Sequence, residues 1–354
     1  MSNNKESGVE LLRVISIFLI LVVHVVQLII GVPVFEDLHD YPLSSITKIF
    51  FESLSIICVD VFVIISGWYG IRATTKGLAK LLFQCVFFGL IGYVVGCCVG
   101  YNVGSVTEVI KSLLEMFFPA WFIGAYIVLY IFSPIINAFV DSVSKLQLQK
   151  ILGVLLLFVF VYGWIITEDT ANSNTFQSGY SSTFLMVLYL MTRYVKVYYF
   201  SDSSGCQKWQ LKPQMFWFLT WWGLLLGNIL LWFLTTWCNI GQISSRIFMY
   251  TSPIVIAQSF CMFRYFQMMK FHNSFVLWLG ASSMSIMLIH DWCDLELMRH
   301  WVMELYRGNK GIVCICMIGL LLIAISIIGV LIDQIRLFLW KPIERNVKWK
   351  KLYD

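Results

Sequence analysis

An arginine and a histidine eleven residues apart, Arg13 and His24, share one apolar run, Leu11–Gly31, whose few other polar members include Ser16 and Gln27. At about 100° per residue, eleven steps bring a helix back to within roughly 20° of the same face and raise it by about 16 Å. A guanidinium is the fork that grips phosphate in two places, and an imidazole is the side chain best matched to taking a proton from a hydroxyl near neutral pH. On one stripe the two suit a transfer between a phosphorylated donor at one end and a hydroxyl acceptor at the other. The plainer alternative is an arginine at a membrane boundary and a histidine satisfied by a neighbouring helix.

Other ionisable groups stand in apolar surroundings: Glu52 and Asp60 in a second run, and His290 near the end of a later one. Such groups are expensive inside a bilayer and mark functional positions by default. Asp60 has four readings: orienting His24, pairing with an arginine, staying protonated, or acting as a structural hydrogen-bonder. His290 is a second candidate acid/base or acceptor contact, or an interfacial histidine. Arg72 lies just past the second run. The pair Ser66-Gly67 reads as a packing and turn element, because no strand–turn–helix pattern surrounds it to form a nucleophile elbow. His39 and His300 read as loop residues, and His272 lies among charges.

These residues need a scaffold. The 354-residue chain is 59% hydrophobic and 13% charged, with mean hydropathy +0.79, whereas soluble domains carry about 25% charged residues. About ten runs are long enough for a hydrocarbon core that takes about 20 helical residues to cross. They fall near 12–31, 47–69, 78–100, 121–140, 150–166, 183–200, 215–237, 246–263, 274–290 and 312–338. The first is too long for a signal-peptide core and lacks a small-x-small cleavage site. The expectation is an all-α integral membrane protein, a single domain over 1–354 with short segments 1–11 and 339–354 at its ends.

Charge tests the count. With the N-terminus inside, about 19 of the 25 basic residues fall on the inner side, the bias of the positive-inside rule. The outer loops are acidic: Glu36, Asp37 and Asp40, then Glu168 and Asp169, then Asp291, Asp294, Glu296 and Glu304. Both termini are expected in the cytoplasm. That distribution accounts for the net charge of +5 without a nucleic-acid partner. Thr167–Ser182 is polar and reads as an outer loop, or as the lining of an acceptor mouth. Gly92, Gly96 and Gly100 read as a helix-packing stripe. The cysteines read as small hydrophobes; none has metal spacing, and a Cys238–Cys293 pair is the one disulfide to consider.

The segment ELLRVISIFLILVVHV (10–25) resembles the Arg-x10-His signature of the acyltransferase-3 family of bacterial membrane proteins. CVDVFVIISGWYGIR (58–72) is similar to that family's Asp-x-Phe-Phe-x-x-Ser-Gly-aromatic segment: Asp60, Phe62, Ser66, Gly67, Trp68 and Arg72 fall in place, with Val63 where a second Phe is usual. PAWFIGAYIVLYIFSPIIN (119–137) resembles its Trp-Phe…Leu-Tyr…Ser-Pro helix through Trp121. SMSIMLIHD (283–291) resembles its Ser-x-Gly-Ile-Tyr-Leu-x-His stretch, with Ser285 and Met287 replacing Gly and Tyr. The resemblance implies a multi-pass enzyme of the bacterial inner membrane with no bound cofactor. It would move an acyl group, usually acetyl from cytoplasmic acetyl-CoA, to a hydroxyl of an extracytoplasmic glycan or lipid-linked sugar, an O-acetylation that modifies polysaccharide. His24 would be general base or transient acyl carrier, and Arg13 and Arg72 the donor site. The rival reading is a secondary transporter or flippase for a polar or lipid-linked solute, disfavoured by the absence of an internal repeat.

Overall fold

A computed structural model describes residues 7–99, 107, 109, 111, 114, 116–117, 121–166, 177–200, 213–292, 295–347 and 349. Among these residues the chain is helical and has no β-sheet. Backbone groups in hydrocarbon must be satisfied within their own segment, and an α-helix does that. Residues 167–176 of the expected outer loop Thr167–Ser182 lie outside the described residues, as do Gly100, Cys293 and Asp294.

Helix α1 (Ser7–His24) passes without a break into a π-helical turn, Val25–Ile30. A short α2 (Phe35–Asp40) leads to α3 (Pro42–Ser55) and α4 (Cys58–Tyr69). Then come α5 (Thr75–Val99), α6 (Trp121–Ser142) and α7 (Lys145–Phe160). Next are α8 (Ser182–Tyr199), α9 (Gln214–Trp237) and α10 (Pro253–Gln267). The last four are α11 (Ser274–Ala281), α12 (Ser283–Trp292), α13 (Leu295–Gly308) and α14 (Gly311–Asn346).

Seven of these segments are long and apolar enough to cross a membrane: Ser7–Ile30, Pro42–Tyr69, Thr75–Cys98, Trp121–Ser142, Lys145–Ile165, Gln214–Trp237 and Gly311–Asn346. The expected spans near 183–200, 246–263 and 274–290 form helices too. They are shorter or more polar, because they bury Thr192, Gln258, Ser259, Arg264 and Ser285 against neighbours. The expected boundary at 338 moves: α14 runs unbroken to Asn346. Within it Arg336 is 1% exposed, and its Nε donates to Asp333 at 2.6 Å.

Helix α1 is the hub, touching α3, α4, α10, α11, α12 and α14. Around it α4 packs on α8 and α10, α9 on α3 and α10, and α12 on α5 and α14. Where the helices break, side chains take up the freed carbonyls, as kinks in apolar surroundings demand. Between α3 and α4, Gln258 donates to the carbonyl of Ser53 at 2.9 Å. Inside α6, Pro134 cannot bond the Tyr130 carbonyl, and the Ser133 hydroxyl donates to it at 2.8 Å. Between α11 and α12, Gln334 of α14 donates to the Ser282 hydroxyl at 3.2 Å. Gly67 lets α4 meet α8 closely: a Cβ there would stand 2.8 Å from Thr192 Cβ and 3.0 Å from the Tyr189 carbonyl.

Candidate active site

His24 and His290, 266 positions apart, meet with Nδ1 and Nε2 2.8 Å from each other. The α1–α12 contact makes the pairing, and the ring centroids are 4.9 Å apart at 45°. The protonation pattern follows from one further contact. His290 Nδ1 lies 3.3 Å from the Ile286 carbonyl, which only accepts, so that nitrogen carries the hydrogen. His290 Nε2 is then bare and accepts from His24 Nδ1–H. His24 keeps its own Nε2 as a lone pair, in the tautomer a general base or nucleophile requires. The π-helical turn begins at the next residue, Val25, and π-turns interrupt α-helices frequently at functional sites. Helix α13 braces that turn, with Arg299 Nη2 donating to the Leu28 carbonyl at 3.1 Å.

Eleven residues back, Arg13 is 36% exposed and pairs with Glu10 at 3.7 Å. Glu10 is itself buried, and a Cβ on Gly280 would strike its carboxylate. The glycine of α11 thus leaves room for the carboxylate that steadies Arg13. Arg72 follows Gly70, whose φ of +74° turns the chain out of α4, and it is exposed. Because α1 and α4 run antiparallel, both arginines stand at the same end of the bundle. A group not singled out from sequence adds to the charge there: the Arg264 guanidinium lies 4.9 Å from the Trp68 ring and 4.3 Å from Phe200, and Lys196 Nζ is 4.9 Å over Trp68. These had registered only as inner-side basic residues, since nothing in their spacing foretold that three helix ends bring them over one tryptophan.

Asp60 is fully buried, and neither carboxylate oxygen has a hydrogen-bond partner among the described residues. The bond to His24 Nδ1, one of the roles considered for Asp60, is made by His290. Ser66 is occupied, donating to the Phe62 carbonyl at 2.9 Å and lying 3.2 Å from the Tyr126 hydroxyl, which fits the packing reading. Trp121, at the start of α6, packs on Tyr180 and Tyr250 with centroids 4.6 and 5.9 Å away. Burial, with the Glu52 charge adding to it, pushes the Tyr180 hydroxyl up to about 12, so it is a neutral donor at physiological pH. Among the described residues there is no group of His, Cys, Asp and Glu able to hold a metal. His39 lies against the Phe35 carbonyl and the Trp237 ring, and His300 pairs with Glu304.

Sequence reasoning had noticed Glu52 and Gln27 separately and had not joined them. Gln27, on the π-helical turn, donates to Glu52 Oε1 of α3 at 2.5 Å. The two residues lie on neighbouring antiparallel segments, a proximity that a list of polar positions does not reveal.

A bundle of apolar helices, several long enough to cross a membrane, with a histidine pair in its interior and arginines at one end, is the architecture of a multi-pass membrane protein. The chain belongs to the acyltransferase-3 family: the family model described as an acyltransferase domain matches residues 6–331. It is a membrane acyltransferase. No curated protein and no solved structure matches the chain.

Proposed function

We propose that the protein transfers an acyl group, acetyl in the simplest case, from cytoplasmic acyl-CoA to a hydroxyl of an extracytoplasmic or lipid-linked glycan. The chain crosses a bacterial inner membrane ten times, with both termini in the cytoplasm. The observation that carries the reading is the His24–His290 pair, whose bonding leaves His24 Nε2 as a free base on the same helix as Arg13, about 16 Å of helical rise away.

The donor's phosphates rest against Arg13 and Arg72, with the Arg264–Lys196–Trp68 group adding positive charge and an aromatic face. Its pantetheine arm lies along α1 and delivers the thioester towards His24. The acceptor hydroxyl gives its proton to His24 Nε2 as its oxygen attacks the acyl carbon. The C–O ester bond forms, the C–S bond breaks, and the proton passes to the departing thiolate, giving CoA-SH. As the imidazolium forms, His24 Nδ1–H stays bonded to His290, which holds the ring in register. The reaction needs no bound cofactor. In the covalent variant, Nε2 attacks the acyl carbon and the C–S bond breaks, giving CoA thiolate and an acyl-imidazolium; the acceptor oxygen then forms the ester as the C–N bond breaks, and its proton passes on to give CoA-SH.

The test is membranes bearing the protein, supplied with acetyl-CoA radiolabelled in its acetyl group. Label should pass into alkali-labile esters on surface glycan, and His24→Ala should abolish that transfer while the protein remains inserted. Solute movement with no ester formed would overturn the reading in favour of transport.

A further inference from the structure

One turn past His24 lies a cavity of about 380 Å3 whose lining includes Gln27, Glu52, Trp232, Thr236, Ser244 and Phe248. It is walled by the π-helical turn, α3 and α9, on the His24 side of the bundle and away from Arg13. Its volume falls at the small end of ligand pockets, about 300–1,000 Å3. Two lining polar groups are buried and unused. Glu52 is 0% exposed; among the described residues Gln27 occupies its Oε1 while its Oε2 has no partner, and the Thr236 hydroxyl has none either. Buried polar atoms are nearly always bonded, so an acceptor and a hydroxyl left open on one cavity wall mark a place for hydrogen-bonding groups brought in by a ligand.

The chemistry of the wall narrows that ligand. Trp232 and Phe248 provide apolar faces, against which the C–H surface of a pyranose ring lies flat. Glu52 Oε2 accepts from a hydroxyl or ammonium, and Thr236, Ser244, Ser245 and Asn239 serve its other hydroxyls. Among the described residues lining the cavity, two are acidic, Glu52 and Glu36, and none is basic. A uronate or phosphorylated sugar entering would carry its charge out of water into a lining with no cation to offset it. We infer that this cavity is the acceptor site, and that it takes a neutral or amine-bearing sugar and rejects an acidic one, with Glu52 oriented by Gln27 as the discriminating group. The inference rests on the acyltransferase reading. Because Gln27 follows His24 by three residues on one continuous helix, a sugar seated here holds a hydroxyl close to the base.

Binding and turnover are measured separately so that each can fail without the other. The purified protein in lipid nanodiscs is probed by saturation-transfer NMR with methyl β-glucoside, methyl β-glucosaminide and methyl β-glucuronide. The first two should give signal, and the glucuronide at least tenfold less. Ser244→Trp, which fills the cavity from its rim, should reduce the signal from the first two at least tenfold. Glu52→Gln, which turns the open acceptor atom into a donor, should erase any preference for the glucosaminide. Equal signal from all three sugars, or signal in Ser244→Trp equal to that in the unsubstituted protein, overturns the site. In parallel, each sugar is offered with radiolabelled acetyl-CoA. Cavity-dependent binding without ester formation would leave the site standing and remove the acyl-transfer reading; ester formation indifferent to Ser244→Trp would do the reverse.

Discussion

His290 Nε2 faces His24 Nδ1 at 2.8 Å while its own Nδ1 faces the carbonyl one turn earlier in α12. The second contact fixes which nitrogen of the first carries hydrogen, so a backbone carbonyl on one helix decides the tautomer of an imidazole on another. His290 therefore works through His24, as a positioning residue. Removing it should lower kcat by roughly 10- to 100-fold, the usual cost of losing the outer partner of an oriented imidazole, with KM for acyl-CoA unchanged. His290→Gln, whose amide oxygen can accept from Nδ1–H, should recover part of that loss where His290→Ala does not. Steady-state kinetics of the two variants decide it.

Arg13 and Arg72 stand at the end of the bundle opposite the histidine pair. Arg13→Ala and Arg72→Ala should each raise KM for acyl-CoA by about tenfold, the 1.4 kcal/mol of one lost charge-assisted contact. The same variants should handle acetyl-pantetheine, which has no phosphates, no worse than the unsubstituted enzyme does. An equal loss with both donors would place the arginines elsewhere in the cycle.

Ser66 has its hydroxyl tied to the Phe62 carbonyl and close to Tyr126. Ser66→Ala should keep activity within about twofold, because a satisfied packing hydroxyl contributes about 1 kcal/mol to stability and nothing to chemistry. A loss of three orders of magnitude would make it a nucleophile after all.

Asp333 and Arg336 form a buried ion pair on α14, at 2.6 and 3.1 Å, with Gln84 of α5 reaching Asp333 at 3.4 Å. Asp333→Ala strands the guanidinium and should destabilise the protein by about 3–5 kcal/mol, whereas replacing both partners with apolar residues of similar volume should cost far less. Thermal unfolding in one detergent compares them.

The scaffold was readable from sequence because its driving force is local. Runs such as Leu11–Gly31 are apolar over a membrane's width whatever their neighbours do, and each expected span coincides with helix over most of its length, though the helix near 246 begins at Pro253 and the run 274–290 is two helices. The end of the last span is misjudged when it is set by where charge resumes, because Asp333 and Arg336 pair one turn apart inside α14 and the helix continues to Asn346. At the site, the Arg13–His24 spacing was legible since one helix carries both. The His24–His290 and Gln27–Glu52 pairs were not, since each depends on how separate helices pack, and single-chain periodicity says nothing about rotation between helices. Asp60 looked like a natural partner for His24 by residue type; α12 fills that place.

The most direct test is a double-mutant cycle on the histidine pair, reading kcat for acyl transfer in His24→Ala, His290→Ala and the double variant. If His290 acts only by orienting His24, the double variant is no slower than His24→Ala, which itself falls by about 10²- to 10⁴-fold, the range a general base supplies. Losses that multiply, or a His24→Ala enzyme that turns over at near-normal rate, would contradict the account.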